Sequence, residues 1–119
     1  MKKDTLSGLD IDLYSDKFSN GFEVYLVPLK NMKRYYATYA TKYGSLITEF
    51  CPNGSRKNVK VPNGIAHFLE HKMFEQENGK NSLDVLTAIG VNANAYTTND
   101  HTAYLFECTD NFYPALNVT

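Results

Sequence analysis

The stretch Asn-Gly-Ile-Ala-His-Phe-Leu-Glu-His-Lys-Met-Phe occupies residues 63–74 of the 119-residue chain. Ile65, Leu69 and Met73 recur in it at i, i+4 and i+8, a spacing that predicts an amphipathic helix. Pro62 immediately precedes the stretch, as is common at the start of a helix. The predicted helix therefore carries one apolar stripe, and the opposite side is left to polar residues.

Three polar residues on that opposite side form an H-x-x-E-H pattern: His67, Glu70 and His71. At i and i+4 the two imidazoles project one above the other, close enough to bind a single metal ion. Glu70 lies on the same side and can reach a water molecule bound to that metal. The pattern predicts a zinc site for peptide hydrolysis, in which Glu70 takes the proton of the water.

A second interpretation of these residues is purely structural. In it, His67 and His71 are hydrogen-bonded in a partly buried interface, and Glu70 is a surface acid that pairs with Lys72 or Lys80. Two histidines at ligand spacing, flanking a glutamate, favour the metal site over this alternative.

The chain on both sides of this helix has the composition of β-strands. Residues 22–27 alternate in polarity, and residues 35–43 are rich in aromatic and β-branched side chains. We predict that these two strands pair antiparallel. Residues 92–98 and 102–109 predict a hairpin whose turn contains residues 99–100.

The remaining segments complete the predicted order β-β-α-α-β-β-α. Residues 1–20 are a polar lead-in to which we assign at most one short strand, and residues 51–60 predict a surface loop. Residues 82–89 predict a second helix with Ser82 as its N-cap. Residues 109–111 predict the start of a third helix.

Composition excludes several classes of function. The formal net charge is −1 and no block of like charge occurs, so the electrostatic signature of nucleic-acid binding is absent. No apolar segment approaches the length of a membrane span, and no export signal follows Met1, so we expect a cytoplasmic protein without a membrane partner. Cys51 and Cys108 are expected to be free thiols.

The chain resembles the pitrilysin/insulinase family of zinc peptidases, the inverzincins, at several motifs in the family's order. Residues 63–74 resemble the family's N-G-[LI]-[AS]-H-[FL]-x-E-H-x-x-F segment. Residues 92–97 are similar to its N-A-x-T strand, residues 101–104 to the H-T-x-Y that follows, and residues 43–45 to a G-S after an early strand. The resemblance covers most of the chain, from about Gly21 onward.

The resemblance implies an α+β fold in which helices pack on one face of an antiparallel sheet. It also implies that His67 and His71 bind Zn²⁺ and that Glu70 is the general base. Asn94 and Ala95 would lie on an edge strand that pairs with an extended substrate.

Two residues within the matching segments have other interpretations. Asn94 is equally well explained as a turn or bulge residue. His101 could be mistaken for a ligand, but the matching position in the family binds no metal, so we leave it out of the site.

The family's third zinc ligand is a glutamate on a later helix, and no glutamate after His71 matches it. Glu75 and Glu77 are too close to His71 on the same helix, and Glu107 lies in a strand at the wrong spacing. We therefore predict that residues 1–119 are a partial N-terminal metallopeptidase domain that ends before the third ligand. Alone, the chain should bind zinc weakly and cleave peptides poorly.

The function implied by the resemblance is that of a zinc endopeptidase acting on peptides or small proteins, completed by C-terminal domains or a homologous partner subunit. An alternative is a non-catalytic paralogue that acts as a partner or assembly subunit. A third interpretation is a homodimer formed through an exposed hydrophobic face. Phe74 and residues 105–108 most resemble Gram-positive paralogues linked to elongation factor P modification.

Overall fold

The computed structural model describes residues 1–6 and 8–119, so Ser7, within the predicted lead-in, lies outside the described residues. The chain divides into two compact units, Met1–Lys33 and Arg34–Thr119. In the described part of the chain no helix is long and apolar enough to cross a membrane.

The first unit is an antiparallel sheet of three strands in the order β1-β2-β3. Its strands are β1 (Lys2–Leu6), β2 (Ile11–Lys17) and β3 (Glu23–Leu26). The lead-in thus holds two strands where at most one was predicted. The sequence did not predict both strands, because their composition is polar. Exposed ion pairs join them, such as Lys3 with Asp12, whose nearest atoms are 2.9 Å apart.

The second unit contains a three-stranded antiparallel sheet, a two-stranded ribbon and three helices. The sheet has the order β4-β8-β7, and the ribbon pairs β5 with β6. The strands are β4 (Tyr35–Thr41), β5 (Glu49–Phe50), β6 (Val59–Lys60), β7 (Asn92–Thr97) and β8 (Thr102–Cys108). The helices are α1 (Ile65–Met73), α2 (Ser82–Ala88) and α3 (Phe112–Val118). This confirms the predicted α+β class, the three helices and the hairpin.

The predicted pairing of the two early strands is wrong. β3 pairs with β2, whereas β4 pairs with β8, with Ala37 opposite Phe106. Proximity in sequence favoured a hairpin, but pairing with β8 places the small Ala37 beside the large Phe106, which can then be fully buried.

The core of the second unit lies on one face of its sheet, under the helices. Phe106 is 1% exposed and lies between Ala37 on β4 and Ala93 on β7. Helices α2 and α3 cover it, and the buried cluster consists of Leu86, Val91, Phe106, Cys108 and Ala115. Burial of a side chain as large as that of Phe106 stabilises a fold by about 1.5–3 kcal/mol.

Helix α1 packs against the sheet through an unexpected face. Its buried residues are Ala66 and Glu70, whereas Leu69 and Met73 of the apolar stripe are 42% and 67% exposed. Ala66 has the smallest side chain of the helix, and it allows α1 to approach the sheet closely. The helix therefore turns its glutamate inward.

Helix α2 has a different N-cap from the one predicted. The side chain of Asn81, not that of Ser82, accepts a hydrogen bond from the backbone N–H of Leu83, with the two atoms 2.8 Å apart. Ser82 is the first residue of the helix; it is buried, and its hydroxyl accepts a hydrogen bond from Gln76. Ser82 was chosen because serine is a common cap, but asparagine caps equally well.

Candidate metal centre

His67 and His71 lie one turn apart on the exposed side of α1. Their Nε2 atoms are 2.9 Å apart, and their rings stack with centroids 4.9 Å apart at an interplanar angle of 21°. The periodicity of the helix alone produces this arrangement. The structure thus brings the two predicted ligands together at one point.

The spacing of the two nitrogens fits a shared cation. Two nitrogens bound to a tetrahedral zinc ion at about 2.0–2.1 Å would lie about 3.3 Å apart. Two imidazole lone pairs at 2.9 Å repel each other unless a proton or a cation lies between them. His67 and His71 could therefore supply two of the ligands of a zinc ion after a small side-chain rotation.

Glu70, on the same helix, is buried. It is 7% exposed, and the hydroxyl of Thr97 on β7 donates a hydrogen bond of 2.7 Å to its Oε2. Lys72 is paired with Glu75, with a distance of 2.7 Å between Nζ and Oε2. The alternative in which Glu70 is a surface acid paired with Lys72 or Lys80 is therefore wrong.

A cavity of about 460 Å³ opens beside this cluster. It is lined by His67, Glu70 and His71 from the helix and by residues 94–97 of β7. Nearby, the pKa of Tyr104 is raised above its ordinary value, first by burial and then by the negative charge of Glu70. The cavity places a carboxylate, two imidazoles and an exposed strand around one space.

The third metal ligand is not found in the described part of the chain. No group of three histidine, cysteine, aspartate or glutamate side chains within residues 1–6 and 8–119 is placed to hold a metal ion. Glu75 is engaged by Lys72, and Glu107 bonds Arg34 and Asn92. Among the described residues, His67 and His71 are the two candidate metal ligands, and Glu70 is the candidate base.

His101 lies at the turn of the β7–β8 hairpin, outside the cavity. Its Nδ1 is 2.6 Å from Asp100 and 2.8 Å from the hydroxyl of Thr98. The hydrogen bond with His101, aided by that from Thr98, holds the pKa of the Asp100 carboxyl below its usual value. These local contacts account for His101 without a metal.

Asn94 and Ala95 lie on β7, the edge strand of the sheet. Asn94 pairs in regular register with Leu105, so it is neither a turn nor a bulge residue. Its side-chain Oδ1 accepts a hydrogen bond of 2.9 Å from the backbone N–H of Ala95. Another strand could thus pair with the edge of β7. One backbone donor there, the N–H of Ala95, is already hydrogen-bonded to the side chain of Asn94.

Sequence reasoning assigned no role to Thr97 and Thr102. Thr97 bonds Glu70, and the Thr102 hydroxyl lies 3.3 Å from that of Thr97 and donates to the carbonyl of Tyr43 at 2.8 Å. Thr97 is the threonine of the segment that resembles the family's N-A-x-T strand. That resemblance was the one feature of the sequence that could have indicated a role for Thr97. Periodicity carries no information about a contact between residues so far apart in sequence.

Comparison with protein families matches residues 39–118 to Insulinase (Peptidase family M16). The "Uncharacterized zinc protease YmfH" of Bacillus subtilis (strain 168) is 48% identical over 99 residues, which are 83% of this chain and 23% of that protein. The crystal structure of a putative M16-like peptidase from Alicyclobacillus acidocaldarius superposes with a TM-score of 0.81 at 37% identity, covering 96% of this chain and 26% of that one.

Another relative has a name that describes a subunit of a complex. The ubiquinol-cytochrome-c reductase complex core protein I of Euglena gracilis is 38% identical over 58 residues, which are 46% of this chain and 12% of that protein. This chain spans about a quarter of the length of the bacterial relatives. Because the family match covers most of the chain, the protein belongs to the insulinase family of peptidases, family M16.

Proposed function

We propose that this chain carries the zinc-binding and general-base residues of a zinc-dependent endopeptidase. The observation that carries the proposal is that the His67 and His71 Nε2 atoms lie 2.9 Å apart and line the same cavity as the buried residue Glu70. The bacterial relative named a zinc protease supports the same metal.

In this proposal His67 and His71 hold the zinc ion, and a third ligand from outside the described residues completes the site. A zinc ion so held makes a water molecule more acidic and polarises a peptide carbonyl. Glu70 accepts the proton of the attacking water and then donates it to the leaving amine. No covalent intermediate with the protein is needed.

The substrate would be an extended peptide or a small protein. β7 is an edge strand, so a peptide can add to it through main-chain hydrogen bonds that do not depend on sequence. Asn94 must release the Ala95 N–H for such a peptide to bind there, because its Oδ1 occupies that donor. Asn94 and Ala95 are therefore the proposed substrate-binding residues.

The 119-residue chain alone is expected to be a poor enzyme. Its described residues supply two ligands where a catalytic zinc site has three from protein. Further domains or a homologous partner subunit would supply the third. Rapid peptide hydrolysis by the purified 119-residue chain would contradict this expectation.

The experiment that tests the function is peptide hydrolysis by the native protein that carries these residues. Glu70→Gln should lower kcat by about 10²–10⁴-fold, because general-base catalysis contributes that much. Zinc content should be unchanged, because Glu70 is not a ligand. Glu75→Gln is the matched control, since Glu75 is an exposed acid just beyond α1 and its loss removes only a surface ion pair.

A non-catalytic role as a partner subunit is the second candidate. It is supported by the core-protein relative and by the exposed apolar residues Leu69 and Met73 on α1. If the native protein shows no zinc-dependent hydrolysis and Glu70→Gln changes nothing, while the protein purifies in a stable complex, this role replaces the enzymatic one.

A link to elongation factor P modification is a further part of the proposal. The 48% identity with a protein of Bacillus subtilis supports the placement among Gram-positive paralogues. The mass of elongation factor P from cells lacking this protein tests the link. An unchanged mass would contradict it.

A further inference from the structure

The Glu70 side chain has one hydrogen bond in the described part of the chain. Its Oε2 accepts a 2.7 Å hydrogen bond from the Thr97 hydroxyl, and no other described side chain bonds the carboxylate. Glu70 as a residue is 7% exposed, and an acidic side chain at so buried a position is costly unless hydrogen bonds compensate it. We therefore looked for a functional role of this hydrogen bond.

The direction of that hydrogen bond is fixed by the neighbouring groups. The Thr97 hydroxyl donates its single proton to Oε2 of Glu70. The proton of Thr102 points to the carbonyl of Tyr43, at 2.8 Å. The 3.3 Å contact between the two hydroxyl oxygens packs Thr97 in place without using its proton.

The two oxygens of Glu70 are therefore not equivalent. Oε2 is engaged by Thr97, whereas Oε1 has no protein partner among the described residues, and Glu70 lines the cavity shared with His67 and His71. Oε1 is therefore the oxygen of Glu70 that is left to bond a water molecule in the cavity.

The geometry points to Thr97 as a positioning residue that holds Oε2 of Glu70 and so selects Oε1 as the proton acceptor, with Thr102 supporting Thr97 from the next strand. The role of Oε1 as proton acceptor rests on the proposed function. The hydrogen bond between Thr97 and Glu70 does not depend on that function. No hydrogen bond joins Thr97 to His67 or His71 among the described residues. Its loss should change the geometry of the base and leave zinc binding intact.

The first test is a double-mutant cycle on the thermal midpoint of the metal-free 119-residue chain. Thr97→Val should lower the midpoint by about 4 °C in the wild-type background. In the Glu70→Ala background it should lower it by less than half as much, because the partner is already gone. Equal shifts of the midpoint in both backgrounds would show that Thr97 and Glu70 do not interact. Thr97→Ala replaces Thr97→Val if the valine variant does not fold.

The second test uses hydrolysis by the native protein and calorimetric zinc binding. Thr97→Val should lower kcat about 10- to 100-fold, with KM and zinc affinity within about twofold of wild type. Thr97→Ser, which keeps the hydroxyl, should restore most of kcat. The control is Thr87→Val, which removes an exposed hydroxyl bonded only within α2.

The outcomes separate the inference from the function on which it rests. A wild-type protein that hydrolyses peptides, with a Thr97→Val variant of equal kcat, would overturn the positioning role and leave the proposed function standing. A wild-type protein without zinc-dependent hydrolysis would overturn the proposed function. The cycle in the metal-free chain would still report whether Thr97 and Glu70 are coupled.

Discussion

The hydroxyl of Thr97 lies 2.7 Å from Oε2 of Glu70 and joins β7 to α1 across 27 residues of sequence. The bond explains why α1 turns a glutamate toward the sheet while two of its apolar residues face outward. The candidate base lines the same cavity as the paired histidines and residues 94–97 of β7. The candidate site is thus assembled from two neighbouring elements of one unit.

The exposure of the α1 stripe can be tested by comparing it with the core. Phe106→Ala should lower the free energy of unfolding by about 3–5 kcal/mol, because it opens a cavity in the buried cluster. Met73→Ala should change it by less than about 0.5 kcal/mol, because that side chain is already exposed. Urea denaturation of the 119-residue chain measures both. A large loss with Met73→Ala would show that the stripe is buried.

The capping role of Asn81 can be tested by substitution at that position. Asn81→Ala should lower the free energy of unfolding by about 1 kcal/mol, because the N–H of Leu83 loses its acceptor. Asn81→Asp keeps an acceptor and should remain within about 0.5 kcal/mol of wild type. Equal losses in the two variants, measured by thermal unfolding, would argue against the cap.

The two cysteines should differ in reactivity. Cys51 is exposed, whereas Cys108 is buried, and burial raises the pKa of the Cys108 thiol above its ordinary value of 9.0. At pH 8 a thiol reagent should therefore modify Cys51 much faster than Cys108, which the Cys51→Ser and Cys108→Ala variants separate. Equal rates in the folded protein would contradict the burial.

The raised pKa of Cys108 also sets a dependence of stability on pH. The thiol is protonated in both states below 9.0, so its contribution is fully present there. Above 9.0 the unfolded chain loses its proton first, and stability falls until the pH passes the folded-state pKa. Tyr104, whose pKa is also raised, contributes a fall in both proteins, so unfolding between pH 8 and 10.5 should show a steeper fall in wild type than in Cys108→Ala.

The parts of the fold that depend on local sequence were predictable. The helix of residues 65–73, the β7–β8 hairpin and the juxtaposition of His67 and His71 all follow from periodicity or turn composition. Pairings between distant segments were not predictable. The partner of β4 is β8 because Ala37 fits against Phe106, and no local pattern encodes that fit.

The candidate site was predictable to the same extent. Helical spacing predicts that His67, Glu70 and His71 lie close together, and all three line one cavity. The burial of Glu70 and its bond to Thr97 were missed, because they depend on how closely Ala66 lets the helix approach the sheet. The roles assigned to these residues await experiment.

The central claim is that His67 and His71 bind one metal ion together, and a calorimetric zinc titration of the chelator-stripped chain tests it most directly. We expect one-to-one binding, weaker than the roughly 10–16 kcal/mol of complete structural zinc sites. It should be lost in His67→Ala and in His71→Ala and kept in His101→Ala, whose side chain bonds only its own hairpin. Equal binding by the wild type and the His67→Ala variant would contradict the claim.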